Sequence, residues 1–228
     1  MRLFESIVDA NHRALGGDAK AGIRPAEYAG SLPIVVLTCF DPRMHPLMPE
    51  VLGIAEPDFI WLTNAGNIVS SPVSSAARSL ALACAVHDAR EIAVIGHTDC
   101  RFFHPAKYGL AGRLQTLKPE LGPAAATLDE FLHRLVDESS NVALAARLLR
   151  QSPLIPRAVP VHGLMVDVNY GRLEWVVNGY EAHAGGWLGD ARSDLAALAA
   201  GAASPLPAGP MGAPDFKIGT DLPPIGGS

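Results

Sequence analysis

Three short, continuously apolar runs constrain the fold of this chain more than any other feature of its sequence. They lie at 34–37 (IVVL), 59–62 (FIWL) and 92–95 (IAVI). Runs of this kind are typical of strands covered on both faces, as in a parallel sheet. Residues 74–87 separate the last two runs, are rich in Ala and Leu, and predict a crossover helix. The pattern predicts an α/β fold with a mainly parallel central sheet.

Helices are also predicted on either side of this core. Residues 2–15 place apolar side chains near helical spacing and are followed by a glycine pair. Thr127 and Glu130 have the spacing of a capping box, which predicts a helix from Thr127 to about Arg150, with Pro153 ending it.

The last regular structure is predicted to be a strand pair. Residues 161–168 and 172–177 are strand-like, and the Asn-Tyr-Gly sequence at 169–171 predicts a turn between them. The tail from Gly201 is rich in Gly, Pro and Ala and lacks periodicity, so we expect an extended arm or disorder there.

Charge and hydropathy exclude several classes of protein. The net charge is −5 and the arginines are scattered, so no basic surface for nucleic acid is expected. No apolar run approaches the roughly 18 residues of a membrane span, and the start of the chain lacks a signal-peptide core. The three cysteines form an odd set, which favours metal or catalytic use in a reducing compartment. We therefore expect a cytoplasmic protein without membrane contact.

Metal-binding side chains follow two of the predicted strands. Cys39 comes after the first apolar run, and His97 and Cys100 come after the third. Parallel strands bring their carboxyl ends to one edge, so these three side chains are candidate ligands of a catalytic Zn²⁺ site with an open fourth position. The alternative is that both cysteines are small buried hydrophobes and His97 is a hydrogen-bonded core residue, because an isolated His-x-x-Cys is common.

A carboxylate and a guanidinium lie beside the first candidate ligand. Asp41 and Arg43 are two residues apart and can form a bidentate pair. Such a pair could hold Asp41 ionised and directed at a zinc-bound water. The alternatives are a surface ion pair of little energetic value or a turn residue next to Pro42.

Taken together, these motifs resemble the β-class carbonic anhydrases in residue, order and spacing. The resemblance covers roughly residues 30–178. The matching motifs are Cys39-x-Asp41-x-Arg43, Asn64-Ala65-Gly66-Asn67 and Gly96-His97-x-x-Cys100, with further matches at 138–142, 152–155, 161–163 and 171–174.

The resemblance implies a fold, a domain organisation and an assembly. The fold would be an α/β sheet with a parallel centre and an N-terminal helical arm. Residues 1–30 would form a helical dimerisation arm, 31–180 the zinc-binding catalytic domain, and 181–228 an extension of unknown role. A homodimer or a higher homo-oligomer is expected.

The resemblance also implies site residues and a reaction. Cys39, His97 and Cys100 would bind zinc, and Asp41 with Arg43 would form the catalytic dyad. Asp41 could instead close the site as a fourth zinc ligand. Zinc-bound hydroxide would attack CO₂ to give bicarbonate and a proton. The histidines His45 and His104 are candidate proton carriers, and for each the alternative is a solvated loop histidine.

The chain departs from the family pattern next to the second cysteine. The family usually has glycine there, where this chain has Arg101, and Thr63 stands where many members carry arginine. Because of these differences, hydrolysis of carbonyl sulfide or carbon disulfide on the same fold is an alternative activity. A catalytically silent structural zinc site is a further alternative. The third cysteine, Cys84, lies in an apolar helical pattern and is expected in the core.

Overall fold

A five-stranded sheet lies at the centre of the computed structural model, which describes residues 1–55, 58–117 and 137–181. The strands are β1 (Ile34–Cys39), β2 (Phe59–Asn64), β3 (Glu91–His97), β4 (Val161–Val166) and β5 (Leu173–Val177). Their order is β2-β1-β3-β4-β5. The first four run parallel, and β5 is antiparallel to β4. The predicted mainly parallel α/β sheet is confirmed.

Five α-helices occur within the described ranges. They are α1 (Leu3–Leu15), α2 (Met44–Leu52), α3 (Ser75–His87), α4 (Leu110–Leu117) and α5 (Glu138–Arg150). The first and third match the predicted helices, and Ser74 caps α3 by accepting the N–H of Ala77. In the part of the chain that the structure describes, no helix has both the length and the apolar character needed to cross a membrane.

The apolar strands are buried because helices cover both faces of the sheet. Alternate residues of a strand point to opposite faces. Ile34 and Val36 of β1 pack in one cluster with α1 and α2, whereas Val35 and Leu37 pack in another with α3 and α5. This two-sided burial explains why β1 reads as an unbroken apolar run.

The N-terminal helix packs against the sheet of its own chain. Phe4 is fully buried in the cluster that α1 shares with the strands. Farther along the helix, the side chain of Asn11 donates to the carbonyl of Gly171 and accepts the N–H of Leu173, each at 2.9 Å. These contacts tie α1 to the start of β5. The role of residues 1–30 as a dimerisation arm stays a prediction.

The helix predicted from Thr127 to Arg150 is wrong as one continuous element. Thr127 and the apolar residues that follow it lie outside the described residues. Helix α5 begins at Glu138, because Asp137 has extended backbone (φ −159°, ψ 168°) and its side chain accepts the N–H of Ser140 at 2.7 Å. An extended N-cap cannot lie inside a helix. The predicted end at Arg150 is confirmed.

The predicted final strand pair is confirmed with slightly shorter strands. The turn between β4 and β5 closes when the N–H of Gly171 donates to the carbonyl of Asp167 at 2.8 Å. The carboxylate of Asp167 also accepts the N–H groups of Asn169 and Tyr170. Gly171 has φ +71°, a left-handed conformation that glycine adopts without steric cost.

A buried polar cluster lies at the edge where β3 and β4 begin. The N–H of Gly179 donates to Nδ1 of His162 at 3.1 Å, so Nε2 carries the proton and donates to the carboxylate of Glu91 at 3.2 Å. The hydroxyl of Tyr180 donates to the same carboxylate and accepts the N–H of Phe4. Burial lowers the pKa of His162 and raises that of Tyr180. His162 and Tyr180 are therefore both neutral. The cluster joins α1, β3, β4 and the segment after β5.

This cluster predicts a pH dependence of stability. Because the pKa of His162 is lower in the folded chain, the unfolded chain takes up a proton first as pH falls below about 6.5. The free energy of unfolding should then fall by up to about 1.4 kcal/mol per pH unit from this group. Urea unfolding between about pH 7.5 and 5.5 should show a smaller fall for His162→Asn, whose amide oxygen can still accept from Gly179. Equal falls in the two proteins would contradict the assignment.

Candidate metal centre

Two thiols and an imidazole meet at the carboxyl edge of the sheet. Cys39 is the last residue of β1 and His97 the last of β3, and these strands are neighbours in parallel register. Cys100 follows on the loop after β3. The three ligand atoms lie within 4.8 Å of one another, and all three residues are buried. The structure thus brings together the side chains that the sequence singled out, and their role as ligands stays a prediction.

His97 presents a free nitrogen to this cluster. Its Nδ1 lies 2.9 Å from the carbonyl of Thr98, which can only accept, so Nδ1 donates and Nε2 keeps its lone pair. Nε2 is buried and has no hydrogen-bond partner among the described residues. A buried polar atom without a partner is costly. Metal binding would remove that cost, and the backbone bond at Nδ1 orients the ring as in known metal-bound histidines.

The thiols of Cys39 and Cys100 are close enough to form a hydrogen bond. Their sulfurs are 3.9 Å apart, and no disulfide joins them. The hydrogen bond between the two cysteines lowers the pKa of Cys39 and raises the pKa of Cys100, and burial raises the pKa of Cys100 further. The pair therefore favours the thiolate form at Cys39 over that at Cys100. A metal ion would displace the thiol protons, since thiolate is the ligand form.

A tight turn supports Cys39 from the neighbouring strand. Residues Ala65–Asn67 form a single 3₁₀ turn after β2, in which Gly66 has φ +65° and directs its N–H to the sulfur of Cys39 at 3.4 Å. The side-chain amide of Asn64 closes the turn: its Nδ2 donates to the carbonyl of Ile68, and its Oδ1 accepts the N–H of Ile68. The N–H of Gly66 stabilises negative charge on the thiolate.

Asp41 and Arg43 form the bidentate pair that the sequence suggested. Nε and Nη2 of Arg43 donate to the two carboxylate oxygens at 2.9 and 2.8 Å, and the Arg43 backbone N–H adds a third bond. These bonds lower the pKa of Asp41 to about 2. Only 3% of Asp41 is exposed, so the alternative of a surface ion pair does not describe this geometry.

Asp99 and Glu138 support the site through hydrogen bonds, although the sequence analysis gave them no role. The backbone carbonyl of Asp99 accepts Nη2 of Arg43 at 2.9 Å, while its carboxylate accepts Lys107 and Tyr108. Glu138 accepts the backbone N–H of Cys100 at 3.0 Å. The sequence signal that could have pointed to Asp99 is its position inside the His97–Cys100 motif. Nothing in the sequence near Glu138 points to Cys100, 38 positions earlier.

The remaining candidate residues differ in their distance from this centre. Nε2 of His104 lies 2.9 Å from the Glu138 oxygen that holds Cys100, so His104 is next to the site. The ring of His45 instead packs against Trp61. Their roles in proton transfer stay predictions. Cys84 is a buried residue of α3 in the core, away from the cluster, as the sequence predicted.

Known proteins share the fold of this chain. The fold is similar to the crystal structure of beta-carbonic anhydrase isoform I from Trichomonas vaginalis, with a TM-score of 0.58 and 25% identity, covering 79% of this chain and 100% of that chain. The carbonic anhydrase family model matches residues 34–173. The chain belongs to the β-class carbonic anhydrase family.

Other members of the β-carbonic anhydrase family and related enzymes extend the comparison. A carbonic anhydrase from Streptococcus mutans has a TM-score of 0.53 and 27% identity, covering 78% of this chain and 99% of that chain. A carbon disulfide hydrolase from Acidianus sp. is 30% identical over 156 residues, or 60% of this chain and 74% of that protein. The range matched to the family includes all five predicted site residues.

Helix α5 approaches β3 closely at Gly96, next to His97 of the candidate metal centre. A Cβ at Gly96 would lie 2.5 Å from Cγ2 of Val142 on α5 and 2.7 Å from Sδ of Met165. Gly96→Ala should therefore lower the free energy of unfolding by about 1–3 kcal/mol. Gly112→Ala, in helix α4, is the control: a Cβ there meets no atom of the described residues within 4 Å, so this variant should lose no stability. Denaturant unfolding of both variants tests this, and an unchanged midpoint for Gly96→Ala would contradict it.

Proposed function

We propose that this chain is a zinc enzyme that reversibly hydrates CO₂ to bicarbonate and a proton. The observation that carries the proposal is the buried set of two thiols and one free imidazole nitrogen beside an ionised, arginine-held carboxylate. Membership of the β-carbonic anhydrase family supports it.

The donor set suits zinc among the common protein metals. Thiolate and imidazole are preferred ligands of Zn²⁺, and three protein ligands are the usual number at a catalytic zinc. Cys39, His97 and Cys100 would hold the ion. When bound, zinc supplies a Lewis acid that activates water for attack on the carbon of CO₂. The Gly66 N–H at Cys39 and the Glu138 carboxylate at the Cys100 N–H keep the sulfurs in place.

Asp41 acts in this proposal as a fixed hydrogen-bond acceptor. An ionised carboxylate can only accept, so it orients the proton of a water molecule and leaves the oxygen lone pair directed at the substrate. Arg43 holds both oxygens of Asp41, and Asp99 in turn holds Arg43 through its carbonyl. The Asp41–Arg43 dyad is therefore positioned by a third residue, Asp99, in a chain of successive hydrogen bonds. Asp41 as a fourth zinc ligand is the closed alternative of the same site.

A carbon disulfide or carbonyl sulfide hydrolase is the second candidate. It is supported by the similarity to the Acidianus carbon disulfide hydrolase. The loop after Cys100 also brings Phe102 into edge-to-face contact with Phe40, which lies between Cys39 and Asp41 in the chain. Such aromatic rings would favour an apolar linear substrate. The retained Asp41–Arg43 pair leads us to place CO₂ first.

Assembly and location complete the proposal. We infer a homodimer or higher homo-oligomer in which residues 1–30 act as the arm, 31–180 as the catalytic domain and 181–228 as an extension. A reducing compartment such as the cytoplasm suits the three free cysteines, two of which must stay reduced to bind zinc.

Zinc content tests the ligand assignment. The variants Cys39→Ser, His97→Ala and Cys100→Ser should each lower zinc from one ion per chain to near zero, because a site with two remaining ligands binds weakly. Cys84→Ser should keep its zinc, since Cys84 lies in the core outside the cluster. Elemental analysis after gel filtration measures this. Full zinc in Cys100→Ser, or its loss in Cys84→Ser, would refute the assignment.

Stopped-flow hydration of CO₂ tests the reaction. In zinc-loaded protein, Asp41→Asn should lower kcat/KM by about a hundredfold or more, because the neutral amide loses the charge and part of the acceptor capacity. Asp9→Asn on the exposed side of α1 is the control and should match the parent. A zinc-loaded parent that hydrates no CO₂ but hydrolyses carbon disulfide would establish the second candidate. Inactivity toward both would indicate a silent structural site.

A further inference from the structure

We propose that Arg101 binds a small planar oxyanion, of the chemical class of bicarbonate, at the mouth of the metal centre. Arg101 directly follows Cys100, and 53% of its side chain is exposed. Its Nε lies 3.9 Å from Oδ2 of Asp41. The inference rests on the proposed function, because bicarbonate is the product of that reaction.

The guanidinium of Arg101 has unused hydrogen-bonding capacity. In the described part of the chain its contacts are the ion pair with Asp41 at 3.9 Å, too long for a hydrogen bond, and the ring of Tyr108 at 5.5 Å from centroid to Cζ. Arginine carries five N–H donors in a planar fork. The other arginine of the site, Arg43, has its fork occupied by Asp41.

Each acidic side chain around the site already has a closer partner than Arg101. Asp41 accepts three hydrogen bonds from Arg43, and the carboxylate of Asp99 is bonded to Lys107 and Tyr108. Glu138 accepts the N–H of Cys100 and faces His104. Arg101 is therefore the cation left without a hydrogen-bonded anion among the described residues of this region.

Arg101 lies where an oxyanion that leaves the metal centre would contact it. The side chain is attached to the residue after a predicted ligand and reaches the edge of the buried Asp41 carboxylate while staying half exposed to solvent. Two oxygens of bicarbonate, nitrate or a carboxylate can pair with the two N–H groups of one guanidinium face. Such pairing would hold an anion next to the metal site without displacing Asp41 from Arg43.

Anion titration of the full-length, zinc-loaded protein tests this role. The probes are sodium bicarbonate and sodium nitrate, followed by isothermal titration calorimetry at constant ionic strength. Arg101→Gln should weaken nitrate binding about tenfold, the loss expected for a charge-assisted hydrogen-bonded pair. Arg101→Lys should retain more affinity than the glutamine variant, because it keeps the charge and loses the fork. Arg24→Gln is the control, with an 85% exposed side chain away from the site, and should bind nitrate like the parent.

The outcomes separate this inference from the proposed function. Nitrate is neither substrate nor product, so its binding is measured whether or not the protein hydrates CO₂. Nitrate binding that depends on Arg101 in an inactive protein would support the anion site and refute the hydration reaction. Unchanged or tighter nitrate binding in Arg101→Gln would overturn the inference, whatever the activity. If that variant does not fold, Arg101→Ala is judged by the same criterion.

Discussion

The parallel pairing of β1 with β3 is the constraint on which the site depends. Because the two strands run in the same direction side by side, their carboxyl ends meet at one edge, and Cys39 and His97 become neighbours although 57 residues lie between them. Both strands are buried on both faces, so a shift of one residue would exchange the side chains that pack in the two core clusters and disrupt the packing of each. The glycine at position 96 lets α5 close over the back of β3, so Glu138 at the start of this helix reaches the backbone of Cys100.

The elements that the sequence predicted well are those whose signal is local. The strands follow from unbroken apolar runs, α3 follows from its composition and its Ser74 cap, and the turn at Gly171 follows from glycine chemistry. The long helix ending at Arg150 was wrong in its extent because the apolar spacing continued through Asp137, whose extended backbone interrupts it. Periodicity reports which side chains could share a face. It does not report whether the backbone between them is continuous.

The site shows the same division between local and long-range information. The pairing of Asp41 with Arg43 could be predicted, because two residues of opposite charge at this spacing beside a proline turn meet without help from the rest of the fold. The contacts of Glu138 with Cys100, and of Arg101 with the edge of Asp41, depend on where separate loops arrive. No local pattern in the sequence predicts these contacts. The strand ends and the family resemblance both pointed to the three candidate ligands, whereas the residues that support them became visible only in the structure.

The two edges of the sheet differ in how fully their buried polar groups are satisfied. At the amino edge, Glu91, His162 and Tyr180 bond to one another and to backbone N–H groups, and such a closed cluster stabilises the fold without a ligand. At the carboxyl edge, Nε2 of His97 is buried without a hydrogen-bond partner among the described residues, and two thiols face each other. An unsatisfied buried group costs on the order of 1–3 kcal/mol, and a ligand bound at that group would offset the cost. That imbalance is the physical reason for which we propose the metal site at the carboxyl edge.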